Sequence, residues 1–307
     1  MDVETAKVVD IQLVQSNEVK NSYAMELEGL KRCFQFLKDK DIPISDLVTD
    51  RHCQVKKLMK SDHPDINHWF DVWHVAKGVY KKLEALGKSK KYKMAGEWAR
   101  SISNHAYWCA ASSGGNAELV RQKWTSILNH VTNIHEGHGD LFHSCEHGDI
   151  SRKWIKPGSK VFREMEKILC GKLLLKDVGK LSPAHQTSCL ESFHNVVNFF
   201  APKASHFFYN QMKARLCLAA LHFNSNSCRP QATLEDGTAR YRIAFPKGRK
   251  GDAVPKEIKV KQNFNYIKEL MEEVVVRRLQ FTTIQQAEAA LYEEMDAPPP
   301  SIRCYHP

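Results

Sequence analysis

Two short apolar runs constrain this chain more than any other feature. Ile44–Val48 and the run ending at Phe70 each stop at an acid, Asp50 and Asp71, and each is followed at once by a stretch of helical periodicity. A short, mostly apolar run bounded by polar residues reads as a buried strand. Apolar residues recurring every three or four positions read as a helix that covers it. Residues 6–15, "AKVVDIQLVQ", alternate and are β-branched, so they read as a further strand ahead of these two. "SYAMELEGLKRCFQFLKDKD" between them carries Met25, Leu27, Leu30, Phe34 and Leu37 on a helical stripe. Strand, helix, strand, helix, strand is the order of an α/β sheet. Ligands of such sheets gather at the carboxyl ends of the strands, where Asp50 and Asp71 fall.

From about residue 75 to 180 the pattern becomes helical, over Trp98–Cys109, Ala117–His130 and Ser159–Leu175, with Trp and His frequent. Helices are also expected from Thr187 to Pro202, over "SHFFYNQMKARLCLAALHFN", and over residues 263–279. A small strand and a basic loop are expected in "DGTARYRIAFPKGRKGD". Lys and Arg (45) exceed Asp and Glu (35), a net charge of +10 that favours a polyanionic partner. "MDVETAKVVD" has neither a basic nor an apolar leader region. No run approaches the roughly 18 apolar residues of a membrane span, so neither secretion nor a membrane is expected. Nine cysteines without regular spacing read as reduced thiols of a cytosolic or nuclear protein.

Glu191 is the third acid that position singles out, in the apolar helical stretch "CLESFHN". Acids at strand ends and on a facing helix suit divalent-metal chemistry on phosphodiesters, because two hard cations need several carboxylates. Simpler roles stand beside this one. Asp50 and Asp71 are each placed to cap a following helix, His74 to pack or hydrogen-bond within one, and Glu191 to pair with a nearby base.

At these residues the chain resembles the acid-triad (DDE-type) cut-and-paste DNA transposases. "LVTDRH" is similar to their second catalytic strand, with Asp50 as the second acid. "FDVWH" is similar to the Asp-x-x-His element of Kolobok-, hAT- and Mutator-like groups, here Asp71 and His74. "LESFH" is similar to the helix of the third acid, Glu191. The resemblance covers nearly the whole chain and implies a predominantly helical α/β protein: a partial ribonuclease-H-like core interrupted by a helical insertion domain. The segments implied are a partial core over 1–74, the insertion over 75–180, return helices over 181–225, a C-terminal extension over 226–295 and a disordered tail over 296–307. It further implies Mg²⁺ held by Asp50 and Glu191, DNA as partner, a homo-oligomer and a nuclear location. The family's first acid lies on the first strand of an antiparallel meander, and the reading here enters that meander only before its third strand. Strand cleavage is therefore expected to be lost or weak, as in a truncated copy, an incomplete gene model or one product of a split gene.

"NHVTNIHEGHGDLFHSCEHGD" gathers His130, His135, His138, His143, Cys145 and His147. Imidazole and thiolate are the donors zinc prefers, and His130, His135, Cys145 and His147 are the four expected to converge on a structural Zn²⁺. A His-rich loop on a basic surface is the alternative. Lys77, Lys81 and Lys82 on one helix, "KSKKYK" after it, and Lys247, Arg249 and Lys250 in "PKGRKGD" are candidate phosphate contacts. Solvated helix faces have the same composition.

Overall fold

The computed structural model describes residues 1–184, 187–246 and 251–294. They are mixed α/β and mostly helical, in two compact units: residues 41–188, and residues 1–40 with the described residues from 189 on. The first boundary falls inside the expected 1–74 segment, so the two early strands share a unit with the helices that come after them.

Helix α1 (Ser22–Asp39) opens on Asn21, whose side chain accepts from Ala24 N. The 41–188 unit then runs β1 (Asp46–Thr49), α2 (Cys53–Ser61), β2 (Asn67–Phe70), α3 (Val72–Gly87), α4 (Lys93–Ala111), α5 (Ala117–Thr125), α6 (Ile127–His130), α7 (Lys160–Leu169) and α8 (Lys172–Val178). The expected helices over 117–130 and 159–175 are thus each two helices. β1 and β2 pair in parallel, Thr49 opposite Phe70, and Phe70 bridges in parallel to Leu181 on its other side. Phe70 N donates to Lys180 O at 2.7 Å and Ser182 N to Phe70 O at 2.9 Å, so β2 is hydrogen-bonded along both edges.

α3 buries Val72, Val75, Ala76, Val79 and Leu83 and leaves Lys77, Lys81 and Lys82 in solvent. That stripe packs on α4, whose buried face mixes small and large residues: Ala95, Trp98, Ala99, Ile102, Ala106 and Cys109. The small ones let the axes approach. A Cβ on Gly87 would lie 2.6 Å from both Cα and N of Gly96, closer than backbone atoms tolerate. Trp124 completes the core from α5, its indole N–H donating to Leu169 O at 2.9 Å.

In the second unit α9 (Ser188–Phe200) and α10 (Tyr209–Asn226) share a small core of Phe193, Ala219 and Phe223. β3 (Tyr241–Ala244) and β4 (Val254–Glu257) form an antiparallel hairpin, followed by α11 (Asn265–Gln280) and α12 (Ile284–Glu294). Residues 6–15 join no sheet, contrary to their alternating pattern. Asn224 of α10 takes both backbone groups of Val8, accepting from its N–H at 2.8 Å and donating to its carbonyl at 2.9 Å, while Val8 and Ile11 pack on the small core. A side-chain amide does there what a neighbouring strand would do. Among the described residues the strands make two two-stranded sheets, and the larger sheet that the resemblance implies is not formed. No described helix is long and apolar enough to cross a membrane.

This packing makes two glycines informative. Gly87→Ala is expected to force α3 and α4 apart and cost about 1–3 kcal/mol in denaturant unfolding. Gly29→Ala, whose added Cβ meets only a Val14 methyl at 3.7 Å, should be neutral or stabilising. Burial also holds His68 and His105 neutral, each with its pKa lowered from 6.5 to about 4. The unfolded chain then takes up protons first, so stability contributed by these rings is complete above about pH 6.5 and is lost as pH falls toward 4. Thermal melts of chelator-treated protein through that window should show the decline, and flat melting temperatures would contradict it.

Candidate metal centre

α6 ends at His130, and the chain beyond it is a loop folded back on itself. Asn133 takes a left-handed conformation (φ 65°), Cys145 N donates to His135 O at 2.8 Å, and Glu136 bridges to Ser144 in antiparallel fashion. This returns residues 145–147 to the end of α6. Gln122 of α5 fixes the loop's far side by accepting from Leu141 N at 2.8 Å. Gly139 is needed there, since a Cβ would stand 2.6 Å from Gln122 Oε1. Lys123, almost fully buried, donates to Ser112 Oγ at 2.8 Å and reaches Glu146 at 3.7 Å, tying the ligand-bearing turn to the helices.

The outcome is that one donor atom from each of His130, His135, Cys145 and His147 lies within 4.8 Å of all the others. A tetrahedral zinc site with ordinary bond lengths spaces its donors roughly 3.3–3.8 Å apart, so the four stand within about 1.5 Å of coordinating separations. These are the four residues expected from the sequence.

Hydrogen bonds outside the cluster fix which ring atoms point in. His147 Nδ1 donates to Gly148 O at 2.6 Å, which leaves the Nε2 lone pair facing His130 Nδ1 at 3.2 Å. His135 Nε2 donates to Asn133 Oδ1 at 3.1 Å, while its Nδ1 is buried and makes no hydrogen bond. Metal-ligating imidazoles are oriented in this way, by giving the outer N–H to an oxygen. Behind the cluster stand the rings of Trp98 and Trp154, with centroids 5.7 and 5.9 Å from that of His130. Burial, then the neighbouring His147 and His135, pushes His130 down to about 4, so near neutral pH its lone pair is free for a metal. Burial raises the Cys145 thiol, and a bound metal would replace its proton. His130, Cys145 and His147 also line a cavity of about 380 Å³ walled by Trp98, Trp108 and Phe142.

The acids are placed differently. Asp50 is exposed beyond the end of β1 and caps nothing. The cap of α2 is His52, whose Nδ1 accepts from Val55 N at 3.3 Å. Asp71 has no exposure at all, and it too makes no cap bond. Its carboxylate accepts from His74 Nδ1 at 2.8 Å and from Thr187 N at 3.4 Å. Glu191 lies in the first turn of α9 and is exposed despite its apolar neighbours in sequence. Asp50 and Glu191 belong to different units. Among the described residues no other group of three or more His, Cys, Asp or Glu side chains gathers as the zinc-type cluster does.

Lys77, Lys81 and Lys82 are exposed on α3, and the Lys77 ammonium lies 3.8 Å from the ring centroid of half-exposed Trp73. Lys247, Arg249 and Lys250 lie outside the described residues. Sequence reasoning passed over Asp177, a buried acid held by Lys56 at 2.6 Å and Arg51 at 3.5 Å. Only its place in the apolar run "LLLKDVGK" hinted at it. No protein-family model, no curated protein and no solved structure matches the chain.

Purified protein is expected to carry one zinc per chain, and Cys145→Ser or His130→Ala to lose most of it. Chelation should lower the melting temperature of the wild type and change that of Cys145→Ser little. Metal analysis showing no zinc, with no effect of chelator, would dismiss the centre.

Proposed function

We propose that this chain is a zinc-stabilised, transposase-derived DNA-binding protein. The observation that carries the zinc part of it is the convergence of four His and Cys donors within 4.8 Å, with two imidazoles held by hydrogen bonds outside the cluster. A four-donor set of this kind closes around zinc and leaves no position for substrate, so the role of the metal is structural.

The finer reading, descent from a ribonuclease-H-like transposase core, draws support from the parallel β1–β2 pair with Asp50 and Asp71 just beyond its carboxyl ends, and from the bond joining Asp71 to His74. In an intact enzyme of that class Asp50 and Glu191 would hold Mg²⁺. Here Asp71 is taken up by His74 and Thr187, so Asp50 is the acid left free at that end of the sheet. Two carboxylates, Asp50 and Glu191, are fewer than a two-metal centre needs. We therefore favour a binding factor over a nuclease.

DNA contact is assigned to the exposed lysines of α3 and to Lys88, Lys90, Lys91 and Lys93 beyond it, with Trp73 as an aromatic neighbour. Such contacts neutralise phosphates without reading bases, and a nuclear location goes with them. The wild type should bind duplex DNA with little sequence preference and a steep salt dependence. Replacing Lys77, Lys81 and Lys82 together by Ala should weaken binding and lower the slope of log K against log salt by about 2–3, near 0.9 for each phosphate no longer neutralised. No Mg²⁺-dependent nicking is expected. Nicking abolished by Asp50→Ala would restore the enzyme, and salt-insensitive or absent DNA binding would end the proposal.

A further inference from the structure

Cys145 has a neighbour that is not one of the four donors. His138 Nε2 lies 3.2 Å from Cys145 Sγ, and on the far side of the ring His138 Nδ1 lies 3.2 Å from Asn129 Nδ2. An amide nitrogen donates and does not accept, so Nδ1 is the acceptor of that bond and the ring proton sits on Nε2, directed at sulfur. The ring is held there from several sides. It stacks on Phe142, with centroids 5.5 Å apart and planes 10° from parallel, and His138 N donates to His143 O at 3.2 Å. Asn129 is itself on α6, next to His130. The orientation of this fourth imidazole and the position of the first donor are therefore set by one helix end.

We propose that His138 is a positioning residue for the metal centre, its Nε2–H donating to the Cys145 sulfur and aiming that sulfur at the metal. The proposal rests on the zinc reading above. When Zn²⁺ binds, the S–H bond of Cys145 breaks, its proton leaves to solvent and a Zn–S bond forms. The His138 N–H stays intact and now meets a thiolate, a stronger acceptor than the thiol it replaced. A hydrogen bond to a sulfur lone pair also makes the bound thiolate a weaker nucleophile. The same contact that completes the site thus protects its one sulfur from electrophiles. Outer-sphere partners of this kind typically change metal affinity by about 10–100-fold.

The test compares the full chain with His138→Ala, His138→Gln and Asn129→Leu. Three readouts are taken: Zn²⁺ affinity against a competing chelator, the sulfur-to-metal charge-transfer band of the Co²⁺ form, and alkylation of Cys145 in the Zn²⁺ form by peptide mass spectrometry. His138→Ala should weaken Zn²⁺ about tenfold or more. It should also move the Co²⁺ band to lower energy and speed alkylation. His138→Gln, which keeps an N–H donor, should recover most of all three, and Asn129→Leu, which frees the ring to change tautomer, should fall between. A change of packing alone would not move the band and be rescued by an amide. Unchanged affinity, band and alkylation in His138→Ala would overturn the proposal while leaving the zinc site standing. Loss of all metal in His138→Ala with retention in His135→Ala would also overturn it, by making His138 a ligand. A wild type that takes up neither Zn²⁺ nor Co²⁺ would remove both readings together.

Discussion

The close seating of α3 on α4 is the contact on which both ends of the 41–188 unit depend. α3 starts immediately after β2, so it carries Asp71 and His74 at one end and its exposed lysines along one face. α4 carries Trp98, which stands behind His130, and His105 and Trp108, which with it line the cavity. Gly87 meets Gly96 where a side chain on Gly87 would intervene, and Ala95 and Ala99 continue the small surface along α4. A large residue at any of these positions would tilt one helix against the other. The carboxyl end of the sheet and the wall of the metal centre would then be disturbed together, because α3 follows β2 directly and α4 carries the rings behind His130.

Burying carboxylates in such a unit is costly unless each is fully engaged. Among the described residues two are buried, and each has named partners. Asp71 accepts from an imidazole and a backbone N–H, and Asp177 meets Lys56 and Arg51. This explains why the apolar run at residues 44–48 ends in Asp50, Arg51 and His52. Arg51 reaches back to neutralise Asp177, and His52 satisfies a free amide at the start of α2. Only Asp50 is left without a structural task in that turn. A polar turn after a strand is therefore not in itself a sign of chemistry; here two of its three side chains belong to the fold.

What the sequence made legible were the features whose signal is local. The parallel strands and the helices from α1 to α11 track apolar periodicity, which depends only on near neighbours. The four donors were legible because His and Cys crowd a stretch that has no apolar pattern to explain them. Residues 6–15 were not, because alternation cannot tell a strand from a segment whose backbone is bonded by a distant Asn224. The exposure of Glu191 was not legible for a related reason: apolar neighbours in sequence do not fix which way a helix turns a given side chain, and this one faces solvent. His138 could be counted among the imidazoles, but its part depends on Asn129 and on where Cys145 returns, and both are set by tertiary structure.

The loop itself gives the metal a physical reason. Between α6 and α7, residues 131–159 contain no helix and no extended strand. Stretches longer than about 12–15 residues without regular structure are uncommon in compact domains unless something else orders them. The fully buried apolar residues there are Val131, Phe142 and Ile155, a small return against the conformational entropy of ordering the whole segment. Lys123 and Gln122 pin it at two points, yet both reach the turn from outside and neither holds its two ends together. His130 and His135 stand at the entrance of the fold-back, Cys145 and His147 at its return. A cation shared among them would close that loop with bond energies that no packing of three apolar side chains supplies. The donor set, the loop length and the thin core thus fit one arrangement, in which coordination would take the place of secondary structure.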